Sequence, residues 1–118
     1  MTAEGHPRAV FRRAIERGNL IVAETVAREM GNVTLEEALE LTALIAFKDP
    51  RRHGRAGTRW LARYLEENPQ AGLDAAAFVV GCLSALGGRD HAAALATLRA
   101  AAGHPDRTAR VALHEAAR

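Results

Sequence analysis

Residues 34–65 read TLEEALELTALIAFKDPRRHGRAGTRWLARYL, and they decide the fold class because they encode two helices. Thr34, followed three residues later by Glu37, forms a capping box, which predicts a helix start. The apolar residues after this box recur with the three-and-four spacing of a buried helical stripe. A proline disfavours helical geometry at the residue before it, so we predict that this helix ends at Asp49-Pro50.

The second helix of this stretch carries an unusual concentration of arginine. We predict that Asp49 caps this helix, with Pro50 at its first position, and that it ends near Asn68. At about 100° per residue, five arginines fall within an arc of roughly 120°; they are Arg51, Arg52, Arg55, Arg59 and Arg63. We call them the arginine stripe. The apolar residues lie on the other side, and we expect burial of Trp60, Leu61 and Leu65.

Composition restricts the class of protein. The chain has 118 residues, of which 48% are hydrophobic and 25% charged, which fits one folded domain with a modest core. Lys48 is the only lysine. The use of arginine rather than lysine elsewhere, together with abundant alanine and glycine, is typical of a GC-rich bacterial genome. The formal net charge is only +2. Residues 48–64 nevertheless contain six basic residues and one acidic residue, so the positive charge is concentrated in the arginine helix.

Three observations bear on localisation. Cys82 is the only cysteine, which excludes an internal disulfide. The N-terminus lacks the apolar segment of a signal peptide. The longest uncharged apolar run, residues 75–86, is too short to span a bilayer. We therefore expect a cytoplasmic protein that does not associate with membranes.

The rest of the chain predicts further helices and no sheet, because no stretch alternates with period two. We place these helices at residues 7–18, 19–31, 75–86, 90–102 and 108–117. The last is short and is expected to fray with residues 104–118, and residues 1–5 are expected to form a loose tail. Short connections favour antiparallel neighbours. We therefore predict a single all-α domain over residues 1–118, with six or seven short antiparallel helices.

The spacing of the helix ends suggests how these helices are arranged. Gly18 and Gly88 end similar helices 70 residues apart, with Asp49-Pro50 between them, which is close to two periods of 35. This pattern resembles tetratricopeptide-type helix pairs, although the Trp, Gly-Tyr and Pro positions of that pattern are not matched in order. The tail AGHPDRTARVALHEA, residues 102–116, resembles the start of a HEAT-type helix. The resemblance implies a right-handed array of three helix pairs, and a compact helical bundle is the alternative.

The fifth helix is apolar on all sides. Residues 75–86 read AAAFVVGCLSAL, and we predict Asp74 as the residue that caps them. Helices of this kind lie in the middle of a bundle or in an oligomer interface. The candidate residues for self-association are Phe78, Val79, Cys82 and Leu83. A structural role for Cys82 is favoured over a nucleophilic one, since apolar surroundings raise the pKa of a thiol.

No motif indicates catalysis or a cofactor. The five histidines are too far apart from one another and from Cys82 to form a metal-binding spacing, and neither His-Glu-x-x-His nor Cys-x-x-Cys occurs. Gly87-Gly88-Arg89 follows no predicted strand and precedes no Gly-Lys-Ser/Thr, so it is not a phosphate-binding loop. We predict a protein that is not an enzyme and has no metal, no cofactor and no small-molecule substrate.

Two functions remain, from different classes. The first is an interaction module that binds a protein partner, or itself as a homodimer, through apolar helix faces. The second is a nucleic-acid-associated accessory protein without sequence specificity. Its arginine stripe would contact phosphates, or else an acidic partner, and Trp60 with Tyr64 would provide a stacking or groove aromatic if exposed. The simpler interpretation is a solvated stripe paired with Glu66, Glu67 or acidic residues of the first two helices, and a core position for Trp60.

Overall fold

The computed structural model describes residues 6–103. Six α-helices form this part of the chain: α1 Pro7–Glu16, α2 Leu20–Met30, α3 Leu35–Lys48, α4 His53–Glu67, α5 Leu73–Ala85 and α6 His91–Gly103. No strand occurs within these residues, and the predicted all-α class is confirmed. No helix among them is both long and apolar enough to cross a bilayer. The predictions for the tail at 1–5 and for a seventh helix at 108–117 lie outside the described residues.

Helix α3 begins at the predicted capping box. The backbone N–H of Glu37 donates to Thr34 Oγ1 at 3.0 Å, and that of Thr34 donates to Glu37 Oε1 at 2.9 Å. The same carboxylate accepts two hydrogen bonds from the guanidinium of Arg8, at 2.8 and 3.0 Å. Glu37 therefore both starts α3 and ties α1 to it.

One predicted helix start is correct in position and a second is wrong. The helical segment restarts at Pro50, directly after Asp49, as predicted, but its first turn, Pro50–Arg52, is a 3-10 turn that leads into α4. The Asp49 side chain does not cap this segment, because its carboxylate accepts a hydrogen bond from Arg52 Nε at 2.8 Å, and a charged partner is preferred to a neutral backbone N–H. Asp74 does not cap α5 either. It lies in the first turn, where a negative charge is favourable, and Gly72 occupies the cap position.

Helices α3, α4, α5 and α6 form a closed ring in which each helix contacts the next and α6 returns to α3. Short loops between consecutive helices favour this up-and-down arrangement. Among the described residues the contacts therefore support the compact bundle. They do not support an array of three stacked pairs, because α6 rather than α5 lies beside α3. The centre of the ring is filled by large side chains that are at most 5% exposed: Leu35, Leu39, Trp60, Tyr64, Val79, Leu83 and Leu98.

Helices α1 and α2 form a hairpin that packs on the outside of the ring, against α3. The turn between them uses Gly18 at φ +69°, as predicted from its position at the helix end. Asn19 then caps α2, accepting a hydrogen bond from the N–H of Val22 at 3.2 Å. The hairpin has its own core, which Leu41 and Leu44 of α3 complete. Helix α3 therefore belongs to two cores, one on each side.

Candidate functional site

A groove lies over α3, between α2 and α4, with a volume of about 660 Å³. We call it the α2–α4 groove. Its floor is largely apolar and includes Val33, Ala38, Leu41, Ile45, Ala56 and Trp60. Its rims carry six charged residues: Glu24, Arg28, Arg52, Arg59, Arg63 and Glu66. An apolar floor surrounded by a few convergent charged groups is typical of a binding site.

Arg52 connects the two rims of the groove. Its Nη1 and Nη2 donate to the two carboxylate oxygens of Glu24 on α2, at 2.8 and 2.9 Å, while its Nε is bonded to Asp49. The hydrogen bond from Arg52 lowers the pKa of Glu24 in spite of partial burial. Arg52 is therefore already neutralised by two carboxylates, and it holds α2 to the start of α4.

The structure divides the arginine stripe into two groups. Arg52 has the partners just described, and Arg63 donates from Nε to Glu67 Oε2 at 2.8 Å. The pairing with acidic residues that the simpler interpretation expected is thus present for these two. The other three are exposed and have no ion-pair partner within residues 6–103: Arg51, Arg55 and Arg59. We call these three the unpaired arginines, and Arg59 is the member that lines the groove.

The two aromatic candidates belong to the ring core. Trp60 is 3% exposed and Tyr64 is 1% exposed, and their rings stack with centroids 5.6 Å apart. The indole N–H of Trp60 donates to the backbone oxygen of Leu35 at 2.9 Å. The core position expected for Trp60 is confirmed, and neither ring is open to a base from solvent, so the condition for the stacking role is not met. Trp60 also lines the groove floor. Leu61 and Leu65 are half-buried rather than buried, because α4 turns Trp60 and Tyr64 inward.

The four candidate residues for self-association do not share one surface. Val79 and Leu83 point into the ring core and are at most 5% exposed. Phe78 and Cys82 are half-buried in a shallow groove between α5 and α6. Helix α5 packs on α4 and α6 and leaves its outer side open, so it is not in the middle of the bundle. Its exposed large apolar residues are Leu73 and Val80.

The titratable side chains bear on whether a metal site is present. Within residues 6–103, no cluster of three or more His, Cys, Asp or Glu side chains could hold a metal ion. Burial raises the pKa of the Cys82 thiol, which keeps it protonated. His53 Nε2 lies 2.8 Å from the backbone oxygen of Leu83, a contact that joins the start of α4 to the end of α5.

Sequence reasoning missed the groove because three helices contribute its walls. Glu24 and Arg28 gave no local signal, since their importance depends on where α2 packs. The Arg63–Glu67 pair did have a local sequence signal, because a spacing of four residues on a helix brings two side chains together. Comparison with known proteins found no family model that matches the chain, and no curated protein or solved structure with significant similarity.

Proposed function

We propose that this chain is a non-enzymatic interaction module that binds a protein partner through the α2–α4 groove. The observation that carries the proposal is an apolar floor bordered by Arg59 and Arg28, neither of which makes a direct ion pair within residues 6–103. Ile45, Ala56 and Trp60 of the floor are already buried, so its accessible apolar surface comes from Val33, Ala38 and Leu41. Protein interfaces favour arginine around an apolar centre, and a partner would remove these three side chains from water.

Site-specific photocrosslinking in cells that express the chain tests this proposal. Glu66 is exposed on the rim of the groove, so a benzoyl-phenylalanine placed there should form a covalent adduct with the partner without filling the groove. Glu16 is exposed on α1, away from the groove, and serves as the matched control. An adduct that forms from position 66 alone supports the proposal. Equal adducts from both positions, or none from position 66, would refute it.

Self-association through a different surface is tested separately, because large apolar side chains outside the groove remain exposed, among them Ile21, Phe47, Leu73 and Val80. Leu73 and Val80 lie on α5, the helix whose sequence predicted self-association. Sedimentation equilibrium from micromolar to submillimolar concentration measures the mass directly. A monomer throughout this range would exclude a homodimer, and the partner would then have to be another protein.

The unpaired arginines favour a second candidate function, contact with nucleic-acid phosphates. Guanidinium groups suit phosphate oxygens. Helix α4 contains no Asn or Gln that would read base edges, so the binding would have little sequence specificity. Titration of labelled single- and double-stranded DNA and RNA, at low and near-physiological salt, tests this candidate.

Charge reversal provides the variant for that titration. Arg55→Glu with Arg59→Glu should abolish nucleic-acid binding while leaving helicity unchanged, since both side chains are exposed and unpaired. Arg12→Glu with Arg13→Glu makes the same change in net charge on α1 and is the matched control. Binding that survives the α4 reversal would show that the arginine stripe is not the site.

A further inference from the structure

We infer that the α2–α4 groove accepts an amphipathic α-helix with an acidic flank, supplied by a protein partner. This inference rests on the proposed function and specifies the chemistry of its partner. It depends on the shape of the groove, on the polar groups of its floor and on the charges of its rims.

The shape of the groove suits a helix of about three turns. Two helices, α2 and α4, flank α3 and leave a trough along it. The Arg52–Glu24 bridge crosses one end, so the open trough follows α4 from Ala56 to Glu66, which corresponds to about 15 Å at 1.5 Å per residue. A guest helix of about ten residues covers this length. Such a helix would present apolar side chains to the floor at the spacing used by helix-in-groove complexes.

The floor of the groove favours a helix over an extended peptide. Thr42 Oγ1 donates its proton to the backbone oxygen of Ala38 at 2.8 Å, and the indole N–H of Trp60 is bonded to Leu35. The backbone groups of α3 and α4 on this floor are used within their own helices. An extended chain would therefore lose water from its N–H and C=O groups without gaining partners. A helix satisfies those groups internally, so it can enter the groove without this cost.

The charges of the rims favour an acidic guest. Arg52 and Arg63 are neutralised by carboxylates of this chain, which leaves Arg28 on the α2 rim and Arg59 on the α4 rim without direct ion pairs among the described residues. Among the described residues, Glu66 is the one carboxylate that lines the groove and makes no direct ion pair. A guest with acidic residues beside its apolar stripe would neutralise both arginines, and a basic guest would be repelled. A nucleic acid would contact the arginines but leave the apolar floor uncovered.

Selection from a displayed library of 18-residue peptides, with every position randomised, tests the inference without assuming a guest sequence. The full chain is the target, and its groove-blocked variant Ala62→Phe removes peptides that bind elsewhere. Ala62 is exposed, so this variant should keep its fold, which circular dichroism checks. We expect the enriched peptides to carry apolar residues at positions i, i+3, i+4 and i+7, with an excess of Asp and Glu beside them.

Charge reversal of the rims then tests whether the two rim arginines cause the preference for acidic peptides. An enriched acidic peptide should bind Arg28→Glu with Arg59→Glu about tenfold more weakly, or worse, because attraction becomes repulsion. The same peptide with Lys in place of Glu should bind this double variant better than it binds the natural chain. Arg12→Glu with Arg13→Glu should change neither affinity by more than about twofold.

The outcomes separate this inference from the proposed function. Enrichment of neutral, basic or extended peptides that still depend on an open groove would overturn the acidic helix and leave the interaction module standing. Failure to enrich any peptide that distinguishes the open groove from the blocked one would overturn both. Equal binding of an acidic peptide by the natural chain and the rim-reversed variant would overturn the charge argument.

Discussion

Leucine-to-alanine substitution at two helical positions tests the described ring core against a matched surface site. Leu39 of α3 is 0% exposed in the ring core, whereas Leu73 of α5 is 85% exposed. Leu39→Ala should lower the free energy of unfolding by about 3 kcal/mol, because it removes apolar contacts and leaves a cavity that neighbours fill only in part. The total stability of a domain of this size is about 5–15 kcal/mol, so the loss is a large fraction.

Leu73→Ala should have almost no effect on the free energy of unfolding. About 15% of this residue is covered, which corresponds to about 0.3 kcal/mol if full burial of a leucine contributes about 2 kcal/mol. The higher helix propensity of alanine offsets a similar amount. The expected change is therefore within about 0.5 kcal/mol of zero.

Urea unfolding followed by far-ultraviolet circular dichroism measures both variants beside the natural chain. A loss below about 1 kcal/mol for Leu39→Ala would contradict the packing of the ring. A large loss for Leu73→Ala that grows with protein concentration would show that this exposed leucine is buried between copies of the chain.

Three further predictions follow from named contacts. If the unpaired arginines contact phosphates, log affinity for double-stranded DNA should fall with log salt concentration at a slope of about −2.7, against about −4.5 for the whole stripe, as fluorescence anisotropy would measure. The lowered pKa of Glu24 contributes stability that is present above its unfolded value near 4.5 and is lost as pH falls through the lower folded value. Urea midpoints should therefore fall less steeply on acidification for Glu24→Gln. Gly18→Ala should lower the unfolding free energy by about 1 kcal/mol because φ is +69°, and Gly54→Ala, whose added Cβ meets no atom within 4 Å, should raise it by about 0.5 kcal/mol, in the same assay.

Local sequence signals predicted the helices and several of their ends. The capping box at Thr34, the cap at Asn19 and the left-handed Gly18 all depend on residues within a few positions of each other, and all are present. Asp49 occupies the predicted position before Pro50, but its side chain makes no capping bond, because the hydrogen bond from Arg52 competes for the same carboxylate. The sequence shows that Asp49 could accept either hydrogen bond, but which one forms depends on the folded geometry.

The arrangement of the helices and the candidate site depend on contacts across the chain. Periodicity shows which face of α6 is apolar but does not show that this face meets α3 rather than another helix. The same limit applies to the arginine stripe, since the partner of Arg52 on α2 lies 28 residues away in sequence. The groove could not be predicted for this reason: its floor and rims come together only after the hairpin has packed on the ring.

The two cores that share α3 have a consequence for the order in which the molecule opens. Residues of the α1–α2 hairpin pack mainly on one another and on the outer side of α3, so we expect the hairpin to detach at a lower free energy than the ring needs to unfold. The α2–α4 groove loses one wall whenever this happens. A ligand of the groove would thus hold the hairpin against the ring. It would slow hydrogen exchange in α2 and leave the exchange rates of the slowest amides of the ring unchanged.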